Sequence, residues 1–254
     1  MKNRLSAFLT AVRFLTILPV PWGTDRDHHY FSTCYKYFSV VGGLIGGGAL
    51  LLTWTTNFFL PQPLLCCIVL LYLAAISGFL HLDGLADSAD GFFSARPRSQ
   101  ILEIMHDSRS GAMGVIVINL LLLFKFAALL SIPAEKILWG ALYMPLAGRC
   151  AIVATMAWLP YAGKEKSLGK QFYGQTTWSS QFISAFVFCI CGLFSGFALM
   201  FFACVSVVLT SFLFGTWCRK KIGGATGDTL GAVCELTETV TALFFAIYFF
   251  YPAQ

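Results

Sequence analysis

The chain has 254 residues, of which 57% are hydrophobic, 16% aromatic and only 11% charged. Soluble domains carry about 25% charged residues, so the composition excludes an extended soluble fold, a disordered chain, a coiled coil and a nucleic-acid-binding module. The formal net charge of +5, from 17 Lys and Arg against 12 Asp and Glu, does not mark a polyanionic partner, because the basic residues fall in loops between apolar stretches.

The segment from Met1 to Val20 begins basic and continues apolar. Arg13 interrupts the apolar part and no small-x-small cleavage site follows, which predicts a retained amphipathic helix at the membrane face. About 20 apolar residues cross a bilayer as a helix. On that rule seven spans run over 38–60, 64–82, 113–133, 137–159, 182–200, 201–218 and 230–251. The run from Gly42 to Gly48 in the first span predicts close helix packing. Residues 181–218 form one uncharged run of 38, about 57 Å if helical, so the chain must fold back, with Gly192, Ser195 and Gly196 marking the turn. The cysteines mostly lie inside apolar stretches, with no Cys-x-x-Cys pair and no zinc-like spacing, and read as small hydrophobes. These features predict a single all-α integral-membrane domain over residues 1–254, a polytopic bundle in the lipid bilayer.

Lys and Arg concentrate in cytoplasmic loops. Lys2, Arg4, Arg13, Arg26 and Lys36 precede the first span, Arg96, Arg98 and Arg109 follow the second, and Lys164, Lys166 and Lys170 follow the fourth. Arg219, Lys220 and Lys221 follow the sixth. The other side receives Lys136 alone, a division of 14 against 1, with Lys125 and Arg149 inside spans. The expected topology has a cytoplasmic N-terminus and an external C-terminus.

Seven of the twelve acidic residues gather in two segments. The first is HLDGLADSADGFF at 81–93, followed by Asp107 and Arg109 in a glycine-containing loop. Asp83, Asp87 and Asp90 are spaced i, i+4, i+7 and share one helical face. Like charges so placed destabilise an isolated helix, and a bound divalent cation offsets that cost. Oxygen ligands without thiols favour Mg²⁺ or Mn²⁺, and Mg²⁺ commonly adds substrate phosphates to one or two carboxylates. A solvated acidic helix end accounts for one aspartate, not three on one face.

The second segment is GGATGDTLGAVCELTE at 223–238. Asp228 opens the seventh span and is either its N-cap or a ligand. Glu235 and Glu238 follow on nearly the same face, where intramembrane carboxylates are costly and by default functional. Ion pairing with Lys125 or Arg149 is the alternative. Thr226 and Gly227 sit at a helix N-terminus suited to phosphate. Arg109 and Arg96 are candidate phosphate clamps, while Arg98 reads as a topology marker. Arg149, deep in the fourth span, is a candidate partner for phosphate or carboxylate.

HLDGLADSADGFF, HDSRSGAMGV at 106–115 and GGATGDTLGAVCELTE together resemble the adenosylcobinamide-GDP ribazoletransferases, or cobalamin synthases. Weaker similarity covers FLTILPVP, FSVVGGLIGGG, PLAGRC and SLGKQF in the same order. The resemblance implies a membrane transferase that joins adenosylcobinamide-GDP to α-ribazole, or its 5′-phosphate, releasing GMP with Mg²⁺ as the metal. It implies a metal and diphosphate site of Asp83, Asp87, Asp90 and Asp228 with Glu235 or Glu238. Asp90 is the expected proton acceptor. The inner membrane is the expected location with the site facing the cytoplasm, and the oligomeric state, a homo-oligomer included, stays open.

Two other readings are weaker. Asp87-Ser-Ala-Asp90-Gly91 with Ala95-Arg96 approaches the opening pattern of CDP-alcohol phosphotransferases with one residue too many, and the rest of that pattern is missing. A cation-coupled transporter would place its carboxylates midway across the membrane, not at one face.

Overall fold

The computed structural model describes residues 2–20, 27–107, 109–163, 168–173 and 178–251. Arg26, Lys164 and Lys166 of the loop charges lie outside them. The described residues fold as helices: α1 Lys2–Leu15, α2 Asp27–Cys34, α3 Phe38–Thr56, α4 Gln62–Ile76, α5 Leu80–Phe92, α6 Arg98–Ile104, α7 Ala112–Leu130, α8 Ile137–Trp158, α9 Trp178–Ser195, α10 Phe197–Ile222 and α11 Gly227–Phe250. Among the described residues six stretches are long and apolar enough to cross a membrane, and the bent pair α4–α5 adds a seventh if it counts as one span. The protein is a multi-pass helical bundle.

α8 is the axis. Nearly every residue from Gly140 to Val153 is buried, because α3, α10 and α11 close around it. Gly42 and Gly46 allow α3 to lie directly on α8: a Cβ at either would collide with the carbonyl of Pro145 or Leu142. The outer faces of α9 and α10 carry exposed Phe182, Phe186, Phe201 and Phe212, the surface a lipid-facing helix presents. On α1, Ala7, Ala11 and Leu15 are buried at four-residue spacing while Leu5 is exposed, the amphipathic pattern expected.

The fold-back falls at Gly196, whose φ of 93° suits glycine. It brings Gly192 beside Met200, and the Ser195 hydroxyl bonds Tyr143 Oη at 2.8 Å. The two spans therefore meet at 196, four residues earlier than the even division of the apolar run.

The second span also departs from a straight crossing. α4 and α5 meet at 86°, through Gly78 and Phe79, both with positive φ. Backbone from α1 braces this corner, with Ile17 N–H donating to Ile76 O at 2.8 Å. α5 then lies across the first turns of α7 and α11, since Gly84 abuts Asp228, Gly231 abuts His81, and Gly114 abuts Ala86. The segments after α8 and α10 join at the same end, where Ala162 N–H donates to Ala225 O and Ala225 N–H to Pro160 O, each at 2.9 Å. One end of the bundle thus carries α1, α5, α6 and the starts of α7 and α11. The opposite end is tied by the Gln62 amide, which donates to Leu130 O and Ile132 O.

Candidate active site

The corner at Gly78–Phe79 aims the aspartate face of α5 along the end of the bundle. Gly84 makes that placement possible: a Cβ there would stand 2.7 Å from the Asp228 carbonyl oxygen. As a result Asp83 and Asp87 face Asp228 across a polar cleft of about 390 Å³, lined also by Met105, His106, Asp107, Arg109 and Ser110. Residues 145 positions apart in the chain, Asp83 and Asp228, so share one wall.

Thr226, not Asp228, caps α11. Its hydroxyl accepts from Thr229 N–H, and Thr229 Oγ1 in turn accepts from Thr226 N–H at 2.8 Å. This reciprocal box leaves the Asp228 carboxylate, two residues further on, to the cleft. Asp228 keeps only a long contact at 3.4 Å from the Thr226 hydroxyl. Gly227 is exposed at the same N-terminus.

The cleft is overloaded with negative charge. Burial, and then the carboxylates of Asp228, Asp83 and Asp90, push the Asp87 carboxyl up to about 7. Asp107 behaves oppositely, since its bidentate pair with Arg109 holds it down to about 2. Arg109 is largely exposed and stands at the mouth of the cleft, placed to meet a second anion.

Asp90 is drawn away from this cluster. Its two oxygens accept from Gly111 N–H and Gly114 N–H, each at 2.8 Å, so it closes the N-terminus of α7. The sequence expects Asp90 as metal ligand and proton acceptor; here its carboxylate accepts from donors left open by the first turn of a helix.

Glu235, Glu238 and Arg149 take up the ion pairing that the sequence left as the alternative. Lys125 Nζ lies 2.5 Å from Glu235 Oε2 and 2.9 Å from Glu238 Oε2, and Arg149 pairs with Glu238 Oε1. All four side chains are buried. Two cations and two carboxylates cancel inside the bundle, on levels about 10–15 Å beyond Asp228 by helical rise. None of the four lines the cleft. Arg96 is exposed on the turn after α5 and does not line it either.

His106, which sequence reasoning left aside, does line the cleft. The signal was its place in the 106–115 block, directly before the Asp107–Arg109 pair.

The donor set can be weighed against a divalent ion. Among the described residues no three His, Cys, Asp or Glu side chains stand close enough to enclose a metal by themselves. Asp83, Asp87 and Asp228 nevertheless face one cleft and repel each other enough to move Asp87. That arrangement fits Mg²⁺, which takes one or two carboxylates and completes its shell with water and phosphate.

A family model described as cobalamin-5-phosphate synthase matches residues 7–246. A protein of Clostridium acetobutylicum named adenosylcobinamide-GDP ribazoletransferase is 32% identical over 244 residues, covering 94% of this chain and 95% of that protein. Its namesakes from Alkaliphilus metalliredigens, 33% identical with 96% of both chains covered, and Brevibacillus brevis, 34% identical with 94% and 97% covered, match as fully. No solved structure matches the chain. The match runs through both acidic segments and nearly every helix, and the chain belongs to the cobalamin-5-phosphate synthase family.

Proposed function

We propose that this enzyme joins adenosylcobinamide-GDP to α-ribazole, or to its 5′-phosphate, and releases GMP, with Mg²⁺ held by one or two of Asp83, Asp87 and Asp228. The observation that carries the reading is the cleft in which these three carboxylates, from α5 and α11, face one another with uncompensated charge. Such a site fits a polyanionic substrate only through a cation, and the names of the family's members supply the diphosphate.

In the reaction a ribose hydroxyl oxygen of the acceptor bonds to the phosphorus carried by the corrinoid side arm. The bond from that phosphorus to the bridging oxygen breaks, GMP leaves with the electron pair, and the hydroxyl proton passes to a cleft carboxylate. Mg²⁺, when bound, neutralises charge that develops on the diphosphate oxygens. The chain's own residues align the two substrates. Asp83, Asp87 and Asp228 fix the diphosphate end, and the backbone donors at Gly227 offer a helix N-terminus to a phosphate oxygen. Arg109, oriented by Asp107, closes the open side of the cleft against the substrate. Asp90 acts on this geometry from behind, by seating the loop at 107–111 on α5. The whole assembly lies at the end of the bundle that carries the cytoplasmic loop charges, so we place the site at the inner face of the cell membrane.

The test is GMP release by purified protein in detergent or nanodiscs, given adenosylcobinamide-GDP, α-ribazole and Mg²⁺. Release that requires both substrates and stops with chelator is the expected result. CMP release with a lipid alcohol instead would move the protein to the phosphotransferase reading.

A further inference from the structure

The polar cleft has an apolar neighbour. A cavity of about 160 Å³ opens beside it, bounded by α1, α3, α5, α8, α11 and the 3₁₀ turn Leu168–Phe172, and the two spaces share Asp83 and Asp228. Three rings make one wall: Phe14 and Phe172 lie 5.3 Å apart by centroids, Phe38 and Phe172 5.6 Å, and Phe14 and Phe38 stack at 5.9 Å. Leu15, Ile152 and Leu230 supply the remaining apolar surface. An apolar cavity of roughly 150 Å³ admits a benzene ring, so this one has room for a flat aromatic group.

Three polar side chains border this lining, His81 and the aspartates Asp83 and Asp228, the latter two at the junction with the polar cleft. His81 is held in place by the packing of α5 on α11, where its backbone meets Gly231.

We propose that this cavity seats the aromatic base of the acceptor riboside. The inference rests on the reaction proposed above. It explains why the two spaces meet at Asp83 and Asp228: a base in the aromatic cavity puts its attached ribose at the junction, beside the carboxylates that hold the diphosphate. The guanine of the donor is a poorer occupant. Its carbonyl, amino group and ring nitrogens need several partners, whereas away from Asp83 and Asp228 at the junction the wall is Phe, Leu and Ile.

The test uses full-length protein in nanodiscs. Binding of α-ribazole alone is measured by equilibrium dialysis, and steady-state KM values are measured for α-ribazole and for adenosylcobinamide-GDP. Phe172→Leu, which removes a wall ring at similar bulk, is expected to weaken α-ribazole at least tenfold, with the KM for adenosylcobinamide-GDP within twofold of wild type. Ile152→Phe, which fills the cavity from the opposite side, is an independent variant expected to do the same. A rise in the KM for adenosylcobinamide-GDP instead, or unchanged α-ribazole binding in well-folded Phe172→Leu, overturns the assignment. If wild type binds α-ribazole and loses it in these variants but releases no GMP, the proposed reaction fails while the cavity stands. If GMP is released and α-ribazole binding ignores all of them, the cavity fails while the reaction stands.

Discussion

Asp90 and Gly114 join α5 to the first turn of α7: the aspartate Oδ1 accepts from Gly114 N–H at 2.8 Å, while Oδ2 accepts from Gly111 N–H at the same distance. The two helices meet so closely there that a Cβ on Gly114 would stand 2.7 Å from the carboxylate. The aspartate caps a helix that begins 22 residues after it in the chain, and so fixes the loop bearing Asp107 and Arg109.

Asp90→Ala should therefore cost about 2 kcal/mol of stability, the scale of a lost cap together with charge-assisted hydrogen bonds. Asp90→Asn keeps one good acceptor and should cost about half as much. Thermal unfolding in detergent reads both. Mg²⁺ affinity of the folded Asn variant should stay near wild type, and a large selective loss of metal binding would return Asp90 to the ligand set.

Asp83→Asn, Asp87→Asn and Asp228→Asn form the opposite class. Each should lower GMP release at least 100-fold, about 2.7 kcal/mol of transition-state stabilisation, while membrane insertion and melting temperature change little. Wild-type turnover in a well-inserted Asp83→Asn protein would remove that residue from the site.

The Asp87 carboxyl, raised to about 7 by burial and by Asp228, Asp83 and Asp90, predicts a pH dependence of defined sign. An unfolded chain releases this proton near pH 4. Between the two values the folded chain holds a proton that the unfolded chain lacks, so stability is full below about 4, falls as pH rises, and levels off above about 7. With chelator present, melting temperature should decline over that window, and Asp87→Asn should flatten the decline. Mg²⁺ competes with the same proton, so its stabilising effect should be larger at pH 8 than at pH 6. An unchanged slope in Asp87→Asn would assign the titration to another group.

The sequence was readable where one chain segment decides the outcome. The apolar runs located the crossings, Gly196 turned the 38-residue stretch, and the alternation of Lys and Arg agrees with the end of the bundle at which α1, α5 and α6 assemble. The convergence of Asp83 and Asp87 with Asp228 was also legible, because all three begin or border spans on one side. What the sequence left open depended on neighbours. Asp90 shares the face of Asp83 and Asp87 by spacing, yet its partners are backbone donors of α7, and nothing in the 81–93 pattern shows which helix will lie there. Glu235 and Glu238 continue the face of Asp228, but helical rise carries them about 10–15 Å inward, to the level of Lys125 and Arg149 on two other helices. The corner at Gly78–Phe79 was invisible for another reason: Phe79 takes a left-handed φ of 61°, which its residue type does not announce.

The buried quartet gives the sharpest stability prediction. Glu238 bridges Lys125 and Arg149, and Glu235 faces Lys125, with all four side chains shielded from water. Removing one member leaves a buried charge without its counterion, which costs about 3–5 kcal/mol, whereas removing an oppositely charged pair together costs far less. Lys125→Met should thus destabilise the protein severely, and so should Glu235→Gln to a lesser degree, since its amide can still hydrogen-bond Lys125. The double variant Lys125→Met/Glu235→Gln should recover part of the loss, though Glu238 keeps Arg149 alone. Denaturant titration in mixed micelles measures each corner of the cycle, and the coupling should exceed 1 kcal/mol. Because the quartet lies outside the cleft, KM for both substrates should be unchanged in whatever folded fraction of Glu235→Gln remains; a selective rise in the Mg²⁺ requirement of that variant would put Glu235 back among the metal ligands.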